Sequence, residues 1–210
     1  VYEDEQVAAK FPGLVDSASI IGGIQIQSRA GLGGNLCNAS PSGDGIGSLI
    51  VHTTTCVIAG PNGTREVAAE DFCTGPGRSV LEDGEFLVEM KMPMPQKGFG
   101  AAYERFTPRN EMDIAVAGVA SSVQLDGDTI VSARVALAAV GPTPILSSAG
   151  DFMAGKEATA ENITAAAQAA SGDASPISDM RGTAEQRIHL VGVLTRRTLE
   201  RAVERARENN

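Results

Sequence analysis

The chain has 210 residues, 42% hydrophobic and 20% charged, which gives enough apolar material for one or two ordinary cores and excludes a disordered polymer. A formal net charge of −9 excludes nucleic acid and anionic membrane as default partners, because either polyanion would be repelled. No apolar run approaches the roughly 20 residues of a spanning helix. The richest is Ile114 to Ala120, so no membrane insertion is expected and a cytoplasmic location is the default.

Residues 6–21 carry Val7, Ala8, Phe11, Leu14, Val15, Ala18 and Ile21 at spacings of three and four, which predicts helix around a break at Pro12-Gly13. Ile24 to Gln27 is then expected as a short strand entering a glycine-rich loop that runs from Gly31 to Asp44. Within it, Gly33 and Gly34 free the backbone to turn its N–H groups toward an anion, and the small residues around them keep that concavity open. On the residues alone, a tight turn between strands is the other reading. Gly43-Asp44-Gly45-Ile46-Gly47 looks like part of a dinucleotide fingerprint, which needs a strand before it and a helix after it. The β-branched run from Leu49 to Ile58 follows instead, so that reading is rejected and His52 is placed in a strand. Gly60-Pro61-Asn62-Gly63 predicts a hairpin to Thr64–Ala68, and Leu87 to Met92 predicts another strand. Pro93, Pro95 and Gly98 mark a boundary between a unit over residues 1–95 and a second over 98–210.

The second unit is expected to begin with a strand from Ala101 to Phe106 and to continue as a hairpin, Ile114 to Leu125 and Thr129 to Val140, turned at Asp126-Gly127. Short helices follow over Ile145–Ala154 and, opened by Thr159, over Ile163–Ala170. The last helix opens with a capping pattern, Thr183 with Gln186. Val191, Leu194, Thr195, Thr198, Leu199, Ala202, Val203 and Ala206 form its core face. Arg196, Arg197, Glu200, Arg201, Glu204 and Arg205 form a solvated one. The fold class is therefore α+β. Cys37, Cys56 and Cys73 are odd in number and lack metal-ligand spacing, which predicts reduced thiols and no metal site. His52 and His189 have no nucleophile or metal partner at a recognisable spacing, so no catalytic residue is assigned.

The order Gly33-Gly34-Asn35-Leu36-Cys37-Asn38-Ala39-Ser40-Pro41, closed by Asp44, resembles the second flavin-binding segment of the FAD subunits of molybdenum hydroxylases, the xanthine dehydrogenase and carbon monoxide dehydrogenase medium-subunit family. Asp71 to Arg78 with Leu87 to Pro93 resembles the end of that family's FAD domain. Tyr103-Glu104-Arg105 with Asp113-Ile114-Ala115, then Gly141-Pro142-Thr143-Pro144 and Ile177 to Glu185, resemble its C-terminal domain. The resemblance implies the C-terminal part of an FAD-binding domain over residues 1–95 and a carbon monoxide dehydrogenase flavoprotein-like domain of antiparallel sheet and packed helices over 98–210.

It further implies FAD as cofactor, with the Gly33 and Gly34 amides on the pyrophosphate and Asn35 holding the loop or the ligand. A carboxylate would be repelled by a diphosphate, so Asp44 is expected to accept hydrogen bonds from ribityl or ribose hydroxyls. Leu87 is expected against the flavin, and Arg105, where the family usually has Lys, near the isoalloxazine. Family members carry an earlier glycine-rich segment that nothing before Val1 supplies, so an N-terminally truncated fragment is expected. Gln27-Ser28-Arg29-Ala30-Gly31 also departs from the family's Arg-Asn-Arg-Gly-Thr-like run. The implied partners are a large molybdenum-cofactor subunit and a small 2Fe-2S subunit, with electrons passing from the clusters through FAD to an acceptor. An assembly module that holds no flavin is the alternative. Asp179 and Arg181 are expected as a clamp at the start of the last helix.

Overall fold

The computed structural model describes residues 1–209. Helices α1 (Glu5–Lys10) and α2 (Pro12–Ala18) open the chain. Asp4 caps α1 by accepting from the Gln6 and Val7 amides, and Pro12 stands at the first position of α2, where a missing N–H costs nothing. Three more helices follow, α3 (Ile24–Gln27), α4 (Leu32–Cys37) and α5 (Asp44–Val51). These correct three expectations. Ile24–Gln27 is a helical turn rather than a strand, Gly33-Gly34-Asn35 lies in a helix rather than a loop, and Leu49–Val51 completes α5. His52 accordingly sits at the C-cap of α5 and not in a strand. All eight residues of α5 are buried, so packing on every side outweighs the strand preference of its branched side chains.

The hairpin of β1 (Thr55–Gly60) and β2 (Gly63–Ala68) forms as expected, with Gly60 opposite Gly63. A ribbon of β3 (Cys73–Gly75) and β4 (Arg78–Ser79) follows, and β5 (Phe86–Lys91) returns to the free side of β1, giving the order β2-β1-β5. The second half is an antiparallel sheet of β6 (Phe99–Phe106), β7 (Ala117–Asp126), β8 (Thr129–Ala138) and β9 (Ile145–Ser147), paired in chain order. Its central hairpin turns at Gly127, whose φ of 59° suits glycine. The helix expected from Ile145 starts later, because Ile145–Ser147 pairs with β8 before α6 (Ala149–Met153) begins. Two capped helices complete the chain: α7 (Ala160–Asp173), where Thr159 accepts from Asn162 N, and α8 (Ala184–Glu208), where Thr183 accepts from Gln186 N.

Alternation along β7 gives this sheet two buried faces. Val119 and Val123 pack with Leu194, Leu199 and Val203 of α8, and Ser121 bonds Thr198 there at 2.7 Å. Ala120 lies on the other face, in one cluster with Leu14 of α2 and Ile46, Leu49 and Ile50 of α5. Ser122 donates to Val51 O on that side at 2.8 Å. Arg205 crosses from α8 to the N-terminal helices, donating to both carboxylate oxygens of Asp16 at 2.6 and 3.0 Å and to Ala101 O at 2.7 Å. It is therefore a structural contact rather than part of the solvated face. Asp179 also has a different partner from the one expected, since Arg187 holds it at 2.8 Å while Arg181 contributes its backbone N–H.

Candidate functional site

Gly31, in extended backbone, caps α4 without a side-chain bond, and the first acceptor contact of the helix is Asn35 N–H to Gly31 O at 3.1 Å. The amides of Leu32, Gly33 and Gly34 precede it and have no acceptor among the described residues. A Cβ at Gly34 would meet nothing within 4 Å, and one at Gly33 would lie 3.5 Å from Leu87 Cδ2. The fold itself does not demand glycine at either position; Gly33 faces Leu87, and Gly34 leaves bare backbone beside open space. That space is a pocket of about 320 Å³ lined by Tyr2, Ala18, Ile21, Gln27, Gly34 and Asn35. Asn35 Oδ1 is buried with no partner. Tyr2 donates to Gln27 Oε1 at 3.0 Å, and Gln27 Nε2 donates to Ser19 O at 2.7 Å, which fixes one wall.

Gly45 seats α4 on α5, since a Cβ there would lie 2.7 Å from Leu32 Cδ1 and 2.9 Å from Asn35 Oδ1. One residue earlier, Asp44 is 6% exposed. Tyr103 donates to its Oδ1 at 2.6 Å, and Arg105 donates to its Oδ2 and to Ile20 O at 2.8 Å. Burial pushes the Asp44 carboxyl up, while Tyr103 and Arg105 pull it back. Burial and then the neighbouring Asp44 raise the Tyr103 hydroxyl well above its ordinary range, so its proton stays in the bond.

The six residues singled out in the sequence thus form two groups. Gly33, Gly34, Asn35 and Leu87 surround or adjoin the exposed backbone of α4. Asp44 and Arg105 engage each other in the interior, and neither lines the pocket. Tyr103 was missed as a member of the second group. Its signal was the spacing of Tyr103 and Arg105, two apart on β6 and so on one face. Rejection of the dinucleotide fingerprint rests on different ground from that expected, because a helix does follow Gly43 but helix α4, not a strand, precedes it.

Residues 1–95 match the model of the FAD-binding domain in molybdopterin dehydrogenase, and residues 101–202 match that of the carbon monoxide dehydrogenase flavoprotein C-terminal domain. The carbon monoxide dehydrogenase medium chain of Hydrogenophaga pseudoflava is 34% identical over 197 residues, covering 93% of this chain and 68% of that one. The chain belongs to the FAD-binding medium-subunit family of the molybdenum hydroxylases. The xanthine dehydrogenase FAD-binding subunit of Escherichia coli is 32% identical over 203 residues, 96% of this chain and 70% of its own. Among solved structures, carbon monoxide dehydrogenase from Oligotropha carboxidovorans superposes with a TM-score of 0.92 at 33% identity, covering 97% of this chain and 71% of that one.

Family membership makes the protein an FAD-dependent oxidoreductase subunit. The α4 region fits such a cofactor in one respect, since backbone donors without acceptors suit an anionic diphosphate, while the buried Asn35 oxygen faces Gly45 of α5. The thiols are not reactive neighbours. All three are free, and burial pushes Cys56 and Cys73 up to about 11. Among the described residues, no helix is long and apolar enough to cross a membrane.

Proposed function

We propose that this chain holds FAD and passes electrons from the iron–sulfur clusters of a small 2Fe-2S subunit to an external acceptor, in an assembly whose large subunit carries the molybdenum cofactor and the organic chemistry. The observation that carries this reading is the run of backbone donors over Leu32, Gly33 and Gly34, without acceptors among the described residues, at the edge of a pocket lined by Gly34 and Asn35. When bound, FAD supplies the ability to accept electrons singly and release them as a pair. The Gly33 and Gly34 amides would hold the pyrophosphate, Asn35 would hold the glycine segment or the ligand through its amide, and Leu87 would form an apolar wall. Asp44, Tyr103 and Arg105 act as a positioning set that locks the start of α5 to β6 and thereby fixes α4, which rests on Gly45. Residues 1–95 contribute the C-terminal part of the FAD domain, and residues 98–210 form the second domain of the subunit.

The test is reconstitution. Flavin bound to the isolated full-length subunit should be reduced by an artificial donor, whereas turnover of an organic substrate should appear only after the molybdenum and iron–sulfur subunits are added. Turnover by this chain alone would overturn the assignment. The internal satisfaction of Asp44 and Arg105 favours a second reading, a docking module that holds no flavin. Absence of flavin absorbance from the purified assembly would select it.

A further inference from the structure

A pocket of about 470 Å³ forms where the stretch before β7 meets the segment joining α7 to α8. Its walls include four prolines from four parts of the chain, Pro41, Pro76, Pro142 and Pro176, so its shape is held by backbone that cannot easily rearrange. Two guanidinium groups reach it. Arg187 is 4% exposed and donates to Val116 O at 2.7 Å, Ala139 O at 3.1 Å and Asp179 Oδ1 at 2.8 Å, leaving its Nε buried with no partner. Arg181 is half-buried at the same pocket, and its guanidinium has no carboxylate or carbonyl partner among the described residues. With Asp179 as the one acid in the lining, the pocket carries net positive charge on a chain of net charge −9.

The rim is apolar and uncovered. Ile177 is 74% exposed, Met180 95% and Ile114 48%, and all three belong to the pocket or to the turn that bears Asp179 and Arg181. A cation without a partner, set in apolar walls, favours an anion from outside. A small organic acid could fill the pocket but would leave Met180 and Ile177 in water, whereas a polypeptide would cover both. We propose that this pocket docks a segment of a partner subunit that presents one carboxylate among apolar side chains, with Arg181 as the cation it meets and Ile177, Met180 and Ile114 as the apolar contacts. The proposal rests on the reading that this chain works in an assembly, and it is independent of the flavin site.

The experiment is to co-express a tagged chain with the whole assembly, purify through the tag, and measure molybdenum, iron and FAD per chain. Arg181→Glu and Met180→Glu should each lower co-purified molybdenum or iron at least tenfold, with thermal melting and FAD unchanged. Arg181→Lys should keep more than half of both metals. Met180 is almost wholly exposed, so its substitution tests the surface without touching the core. Wild-type metal content in both Glu variants would overturn the docking site alone. A wild-type chain that brings down neither metal would overturn the assembly reading and the docking site with it.

Discussion

Gly34 stands inside a helix, where alanine would be favoured by about 1 kcal/mol, and an added Cβ there would touch nothing within 4 Å. Gly34→Ala is therefore expected to raise the melting temperature while lowering retained FAD, two effects of opposite sign that a thermal melt and a flavin-to-protein absorbance ratio resolve. Gly45→Ala should lower both, since its Cβ would press on Leu32 at 2.7 Å. Equal flavin content in Gly34→Ala and wild type would remove the cradle from consideration. His52 offers a test of pH dependence. It is 3% exposed, lies between the tilted rings of Phe11 and Phe99, and meets Ser48 O at 2.7 Å through Nδ1. Burial lowers its pKa from the ordinary 6.5, with the Ser48 bond opposing. The folded chain therefore binds fewer protons at this site than the unfolded chain, so the stability it contributes is present above pH 6.5 and lost as pH falls below it. His52→Leu should flatten the acid limb of stability against pH, measured by urea melts. The glycine pair and Asn35 stand out in the sequence because their composition is local, whereas the helix that carries them does not. The Asp44 network was not legible, because Tyr103 lies 59 residues away and only the fold brings it in.

Helix α8 was read correctly because its polar and apolar residues repeat at helical spacing and Thr183 marks its start. Helix α5 was not, because it is buried all round and has no polar face to reveal its period. The glycine segment was read as loop for a related reason: its low helix propensity is overridden by the seat that Gly45 provides. Packing between α8 and the sheet is closest at Gly100, where a Cβ would lie 2.0 Å from Ala202 O and 2.4 Å from Ala206 N. Gly100→Ala is expected to cost more than about 3 kcal/mol, or to prevent accumulation of folded chain, since two backbones cannot both yield. Thr183→Ala removes only a cap and should cost about 1 kcal/mol. Chemical denaturation of the two variants side by side measures that contrast, and a smaller loss for Gly100→Ala than for Thr183→Ala would contradict the packing.

Across the whole molecule, the stretch from Pro93 to Gly98 separates two lengths of sequence, and one of the two buried clusters crosses it. Tyr103, Ala120 and Ala136 share a buried cluster with Leu14, Ile46 and Phe72. A protease site placed at Met94, which is 65% exposed, should permit cutting there without separation, and the two pieces should co-elute on gel filtration until denaturant is added. Spontaneous dissociation would show that each half closes its own core. The same arrangement imposes an order on biosynthesis. Asp16 waits for Arg205, 189 residues later, and the side of α5 that meets the sheet stays uncovered until β6 to β8 exist. At about 5–20 residues per second that interval is roughly 10–40 s, through which Asp16 lacks its partner, while the sheet-facing sides of α2 and α5 stand open until β8 has emerged. Holding chaperones are therefore expected to bind the nascent chain until β8 emerges, and codon changes that slow synthesis between β2 and β8 should lower soluble yield without altering one residue of the product.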